Sequence, residues 1–337
     1  MAKVAIILNK NARSVTESVT RTLEQAITDE KLFISENKKD ARKICEEIVR
    51  GGFDAVMCGG GDGTFAQVIT DVISFASGAL PAFGILRLGT GNGVAEAVRA
   101  APFNSKNIAA ELKQARDDKA RIKMQILKIG ERYAPFASTG IDSRVLKNYN
   151  IVRKILNAFP FFPKKNRGMI DYALGTTLTI WGYILKEMPQ IIIRNGRGKA
   201  YRIEYHGKRI SEAYKPGEVL YRGSVLFAGV STVRYYGFDV PIFPQVHTLF
   251  GDYFQLRVTS MPILTETIPK LKDILLGTLS SEKLWDYACK DVVIEPVGKQ
   301  PFQIGGDYVG RLKEMRVNCI SIQAILGSAA AAGEPPT

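Results

Sequence analysis

At 337 residues the chain is long for one core and fits two domains of ordinary size. Apolar residues at 46% and charged residues at 23% are globular proportions, which exclude disorder or a collagen-like repeat as the main character. Forty-six Lys and Arg against 33 Asp and Glu leave a formal charge of +13, so a polyanionic neighbour is expected: nucleic acid, an acidic membrane face or a phosphorylated ligand.

The first third alternates. Val4–Leu8 reads as a strand, and Val15, Val19, Leu23 and Ile27 recur every four residues on one face of a helix. Leu32–Ser35 is a second strand, Asp40–Arg50 a helix, and Ala55–Cys58 a wholly apolar third strand. A glycine-rich turn, a helix over Phe65–Phe75, a strand over Phe83–Leu88, a second glycine turn and a short helix from Val94 follow. Strand–helix alternation predicts parallel pairing with right-handed crossovers, a three-layer α/β domain. From about residue 121 the pattern changes to short strand-like runs between Gly, Pro and Asn turns. They include Arg121–Ile129, Tyr133–Ser138, Gln190–Arg194, Ala200–Tyr205, Ser224–Val230, Tyr253–Thr259, Val292–Pro296 and Gln300–Ile304, with one helical region over Asp171–Lys186. Residues 327–337 are expected to form a disordered tail.

Cys45, Cys58, Cys289 and Cys319 show no CxxC spacing, so a reducing cytoplasm is the expected compartment. Met1–Lys10 is too short an apolar run for a secretion signal, and Tyr172–Leu185 too short for a spanning helix. Membrane contact is therefore expected to be peripheral.

The strongest signal is Gly59-Gly60-Gly61-Asp62-Gly63-Thr64, between a buried strand and a helix. Glycines let backbone approach a ligand and aim N–H groups at an anion, and the helix N-terminus adds partial positive charge. Asp62 sits among those donors. Gly89-Thr90-Gly91-Asn92-Gly93 repeats the context, and in a parallel sheet both loops emerge at the carboxyl edge, where two of them form the floor of one nucleotide site. No GK[ST] occurs, which excludes a P-loop. Gly61-x-Gly63-x-x-Ala66 formally fits a dinucleotide fingerprint, but no acid lies between Asp71 and Glu96 to hold a ribose.

GGGDGT, LGTGNG, Ser138-Thr139-Gly140-Ile141-Asp142 and Gly305-Gly306-Asp307, with Asn9 and a Gly168…Tyr172 helix start, resemble the ordered motifs of the diacylglycerol kinase catalytic-domain family, which shares its fold with NAD kinases. The resemblance covers about residues 3–325. It implies an α/β nucleotide-binding domain at 1–126, completed by about 312–326, and a β-sandwich lipid-substrate domain at 127–311. ATP would lie in the cleft between them. It also implies an ATP- and Mg²⁺-dependent lipid kinase acting on a hydroxyl of a diacylglycerol-like or sphingoid lipid. Nucleotide contacts fall on Asn9, Gly60, Gly61, Gly63, Thr64, Thr90, Gly91 and Asn92. Catalytic acids fall on Asp62, Asp142 and Asp307, and metal-linked acids on Asp62 and Asp252. The alternatives are a NAD kinase-like enzyme with a soluble acceptor and a catalytically impaired nucleotide- or lipid-binding regulator.

The pattern departs in several places. GTxND ends in Gly93, Leu-Asn-Glu after GGDGT becomes Phe65-Ala66-Gln67, DGE becomes Gly305-Gly306-Asp307, and Asp252 matches the structural-metal motif only with a register shift. Shortening an acid by one methylene at Asp307 threatens a base's reach, where a misplacement near 1 Å costs about 100-fold.

Between Ser143 and Ile170 there is no acid, while Arg153, Lys154, Lys164 and Lys165 flank Phe161 and Phe162. This segment is expected at an anionic membrane surface, giving a peripherally membrane-associated cytoplasmic protein. A second basic run, Arg194, Arg197, Lys199, Arg202, Lys208 and Arg209, reads as a hairpin around Asn195-Gly196 with a solvated cationic face. Nucleic acid is not expected, since no zinc spacing, RNP-like aromatic motif or helix-turn-helix pattern accompanies either run. A homodimer is left open.

Overall fold

The computed structural model describes residues 2–158, 168–185, 188–204, 209–249 and 251–331. They fall into two units, one of Met1–Pro135, Thr232–Ile242 and the chain from Cys319, the other of Phe136–Ser231 and Phe243–Asn318. Phe161, Phe162, Lys164, Lys165, Lys208 and residues 332–337 lie outside the described residues.

The first unit runs β1 (Val4–Asn9), α1 (Glu17–Ala26), β2 (Lys31–Ser35), α2 (Lys38–Arg50), β3 (Ala55–Gly60), α3 (Asp62–Phe75), β4 (Ala82–Arg87), α4 (Gly93–Ala97) and α5 (Ser105–Arg116). The hairpin of β5 (Arg121–Ile129) and β6 (Arg132–Ala134) follows. The parallel strands take the order β4-β3-β1-β2, with the end of the last strand, β18 (Met315–Ile325), beside β4. Successive side chains of a strand face opposite ways. Val4, Ile6 and Leu8 therefore enter a core with Leu23 of α1 and Ile108 and Leu112 of α5. On the other face α2 and α3 pack together, and Phe65 of α3 meets Phe83 edge-on with ring centroids 6.5 Å apart. Because β2 and β3 flank β1, the chain reverses its direction of winding there, and the carboxyl ends of β1 and β3 open a crevice.

The unit extends past the expected boundary at 126. The β5–β6 hairpin stays with it because Tyr133 N–H donates to Thr70 Oγ1 of α3 at 2.9 Å. Residues after Gly327, expected to be disordered, begin with a short helix, α9 (Ser328–Ala331). The reason is Glu111, a buried carboxylate whose Oε1 accepts from Ala101 N–H, Ser328 N–H and Ser328 Oγ at 2.8, 2.9 and 2.7 Å.

In the second unit β7 (Phe136–Gly140) leads directly into α6 (Ile141–Ala158), and α7 (Gly168–Leu185) packs on α6. Then come β8 (Gln190–Asn195), β9 (Ala200–Ile203), β10 (Arg209–Tyr214), β11 (Val219–Ser224), β12 (Phe227–Ser231), β13 (Phe254–Thr259), α8 (Leu271–Leu276), β14 (Leu284–Cys289), β15 (Asp291–Pro296), β16 (Gln300–Ile304) and β17 (Asp307–Leu312). Eight strands pair antiparallel in the order β10-β9-β14-β13-β12-β7-β16-β17, and β11, β8, β15 and the start of β18 form a second antiparallel array. Tyr287 of β14 donates its hydroxyl to Leu220 O of β11 at 2.6 Å, tying one array to the other.

Three readings change here. Tyr133–Ser138 is two strands, broken at Pro135, which has no N–H for a ladder. Ser224–Val230 is likewise divided between β11 and β12. The expected hairpin at Asn195-Gly196 is a crossover: β8 pairs with β11 and β15, whereas β9 pairs with β14 and β10. Asn195 Nδ2 holds that crossover by donating to Gly198 O and Tyr214 O. Its basic residues are partly neutralised, Arg194 by Glu295 and Arg197 by Asp291.

Replacing Glu111 by Ala should lower the unfolding free energy by about 3 kcal/mol, since three donors lose a charged acceptor. Glu111→Gln, which keeps a carbonyl oxygen, should cost less. Urea unfolding of the two variants checks the order.

Candidate functional site

The two glycine loops touch backbone to backbone. A Cβ on Gly89 would fall 2.1 Å from Gly61 Cα, and one on Gly61 would fall 2.8 Å from Gly91 O, so neither position admits a side chain without displacing the other loop. Asp62 N–H donates to Gly91 O at 3.2 Å, and Leu88 N–H to Gly60 O at 3.3 Å.

Asp62 opens α3, yet its side chain serves the other loop. Oδ2 accepts from Gly93 N–H at 3.0 Å and Oδ1 from Val94 N–H at 2.9 Å, satisfying the first donors of α4, which Asn92 does not cap. The carboxyl is only 3% exposed. Burial pushes its pKa up to about 6 against the two amides that oppose the rise, and the nearby charge of Asp239 adds to it.

Asn9, at the end of β1, donates from Nδ2 to Thr64 Oγ1 at 3.0 Å. Thr64 in turn packs where a Cβ on Gly60 would lie, 2.4 Å from that hydroxyl. Asn92 Nδ2 donates to Gly89 O at 3.2 Å, while its buried Oδ1 has no hydrogen-bond partner. Gly63 and Thr90 are the exposed points of the two loops. All eight residues expected to contact nucleotide, with Asp62, thus gather at the crevice of the first unit.

The departures at 93 and 67 have structural reasons. A Cβ on Gly93 would fall 2.4 Å from Tyr235 O, so the segment from Thr232 occupies the space of the missing acid. The same segment carries Asp239, whose backbone takes a left-handed φ of 55° and whose carboxylate is exposed, 3.9 Å from Arg87; Arg87 also pairs with Glu96 at 2.5 Å. Asp239 is a loop-side acid that sequence reading missed, because nothing in its neighbourhood links it to Gly93. Gln67 donates within α3 to Asp71, the buried acid whose pairing with Arg42 ties α3 to α2.

Asp142, Asp307 and Asp252 belong to the second unit. Gly140, at φ 116°, makes the β7–α6 junction; a Cβ there would meet Leu226 O at 2.3 Å. Asp142 in the first turn of α6 accepts from Ser138 Oγ and, at 3.3 Å, from Ser143 Oγ. Gln303, fully buried, donates to Ser138 Oγ at 2.7 Å and accepts from Gly306 N–H at 2.7 Å. Gly305 and Gly306, both at positive φ, form the two-residue turn before Asp307. One glutamine therefore joins the Asp142 junction to the turn that carries Asp307. Asp252 stands elsewhere, paired with Lys290 at 2.5 Å. Among the described residues no three His, Cys, Asp or Glu side chains gather to hold a metal.

Asp62 titrates near 6 when folded against 3.8 in the unfolded chain, so the native state binds the extra proton between about pH 4 and 6. Stability should fall as pH rises through that window, by about 3 kcal/mol for this group. Asp62→Asn should lose this part of the pH dependence, seen in denaturant unfolding of both proteins from pH 4.5 to 7. Gln303→Leu should destabilise by about 1–3 kcal/mol by orphaning Gly306 N–H and Ser138 Oγ, measured the same way.

Residues 3–126 match the diacylglycerol kinase catalytic domain. A probable lipid kinase YegS of Salmonella arizonae is 36% identical over 90 residues, 26% of this chain and 30% of that protein. Its counterpart in Salmonella heidelberg is 36% identical over 92 residues, 26% of this chain and 31% of its own. The matched region thus spans about a third of these relatives. A solved putative diacylglycerol kinase from Bacillus anthracis superposes with a TM-score of 0.64 at 17% identity, covering 97% of this chain and 98% of its own. Another diacylglycerol kinase structure from that organism gives 0.61 at 16%, with the same coverage. Residues 3–126 are thus similar to the diacylglycerol kinase catalytic domain, and the chain shares its fold with these solved structures.

Proposed function

We propose that the protein is an ATP- and Mg²⁺-dependent lipid kinase that phosphorylates a hydroxyl of a diacylglycerol-like or sphingoid lipid. The observation that carries the reading is the pair of glycine loops locked together by Asp62 at the β1/β3 crevice. A cradle that a single Cβ would disrupt suits phosphate oxygens approaching backbone N–H groups. The unpartnered Asn92 Oδ1 supplies an acceptor for a donor on the nucleotide. Gly60, Gly61, Gly63, Thr64, Thr90 and Gly91 line the phosphate path, and Asn9 steadies Thr64.

The described acids do not form a protein-only metal cage, but Mg²⁺ commonly binds through one or two carboxylates plus substrate phosphates. Asp62 and the exposed Asp239 are the carboxylates at these loops that fit such a role. Bound Mg²⁺ would neutralise phosphate charge. In the reaction the acceptor hydroxyl oxygen bonds to the γ-phosphorus as the bond to the ADP oxygen breaks. We assign the hydroxyl proton to the carboxylate of Asp307, with Asp142 stabilising the turn region through Ser138 and Gln303.

The test incubates the full chain with γ-labelled ATP, Mg²⁺ and a total lipid extract. Label should enter the organic phase, and Asp62→Asn and Asp307→Asn should each reduce it by about 100-fold or more. Label on NAD with none on lipid would establish the soluble-acceptor reading. Nucleotide-dependent melting shifts without transfer to either would establish the regulator.

A further inference from the structure

Large apolar side chains left open to solvent concentrate in one part of the molecule. Of fifteen such residues among those described, thirteen lie in two stretches of the second unit, 151–184 and 264–276. In α7, Ile170, Leu174, Leu178 and Trp181 follow helical spacing and are 44–58% exposed. In the helical run from Ile263 to Leu276, Leu264, Ile268, Leu271 and Leu275 follow the same spacing and are 51–53% exposed. An amphipathic helix ordinarily turns such a stripe to the core. Here the core side is otherwise occupied: Ile263 packs with Tyr183, Leu226, Ile180 and Met188, which fixes the run to α7 and leaves its stripe outward.

Charge indicates what covers the stripes. On α6, whose Ile151 and Ile155 are also exposed, Arg153 and Lys154 reach solvent. The acids of α6 and α7 are withdrawn, Asp142 into the Ser138 and Ser143 hydrogen bonds and Asp171 into the interior. In the 263–276 run Glu266 is paired with Lys283, and Lys272 and Asp273 are both exposed after Leu271, so the cationic excess of this surface comes from α6. Apolar stripes holding a tryptophan and flanked by cations are the chemistry of helices that lie in a bilayer interface. No described helix is long and apolar enough to cross a membrane.

We propose that the run Ile263–Leu276, together with the outer face of α7, lies in the interface of an anionic lipid bilayer and seats the protein on it. This shares with the proposed function only the lipid nature of the substrate. The Phe161–Phe162 segment expected at a membrane lies outside the described residues, and this surface is argued without it.

The experiment floats the full chain, without nucleotide, with vesicles of phosphatidylcholine alone and of phosphatidylcholine with phosphatidylglycerol. Binding should be stronger to the anionic vesicles and weaken with salt. Leu271→Glu with Leu275→Glu should reduce it about tenfold or more. Trp181 fluorescence in the unaltered chain, quenched by brominated acyl chains, reads insertion without any variant at the stripe, with Trp181→Phe as its control. Equal flotation of the double variant, or no quenching attributable to Trp181, overturns the proposal. Light scattering showing that the same substitutions dissociate a dimer would assign the stripe to a second copy instead. Phosphorylation of lipid in detergent micelles separates the two readings: vesicle binding without transfer removes only the kinase, and micellar transfer without vesicle binding removes only the membrane seat.

Discussion

The contact between two glycine loops, held by one buried carboxylate, governs the rest of the first unit. Asp62 is desolvated at a cost that the Gly93 and Val94 amides only partly offset, which is why its acidity is weakened. In exchange the start of α4 is capped from a neighbouring helix, and the ends of β3 and β4 are fixed at the crevice beside Asn9. Each glycine of the contact then follows from sterics. Gly61 and Gly89 face each other, and Gly93 faces the carbonyl of Tyr235.

Much of the first unit was legible because buried parallel strands are continuous apolar runs, as in Ala55–Cys58, and because glycine loops after them mark the carboxyl edge. The return of Thr232–Ile242 to that edge was not legible. Its residues show neither periodicity nor motif, and the contact with Gly93 uses a backbone carbonyl that any residue would supply. Gln303 was missed for a related reason: a glutamine inside a strand-like run carries no sign that it is buried and bonded at both ends. α6 escaped a firm reading because its apolar residues divide between a buried face, with Val145 and Val152, and an exposed one, with Ile151 and Ile155.

The departures from the family motifs separate into two kinds. At Gly93 and Gln67 neighbouring groups account for the residue present, by exclusion in one case and by a hydrogen bond to Asp71 in the other. At Gly305-Gly306-Asp307 the hairpin keeps two positive-φ positions and Gln303 pins the turn through Gly306 N–H, so the backbone that presents Asp307 is specified even where the acid is shorter.

The first unit is assembled from separated pieces of chain, and this bears on how the protein comes to be folded. Phe83 of β4 pairs with Ala324, 241 residues later, and Gly327 N–H reaches back to Val98 O. The second unit is thus an insertion within the first. During synthesis the parallel sheet stays without β18 until residues 315–325 have left the ribosome, whereas the inserted unit has most of its strands earlier. Until then the half-made sheet exposes the edge of β4, the strand that leads into the second glycine loop.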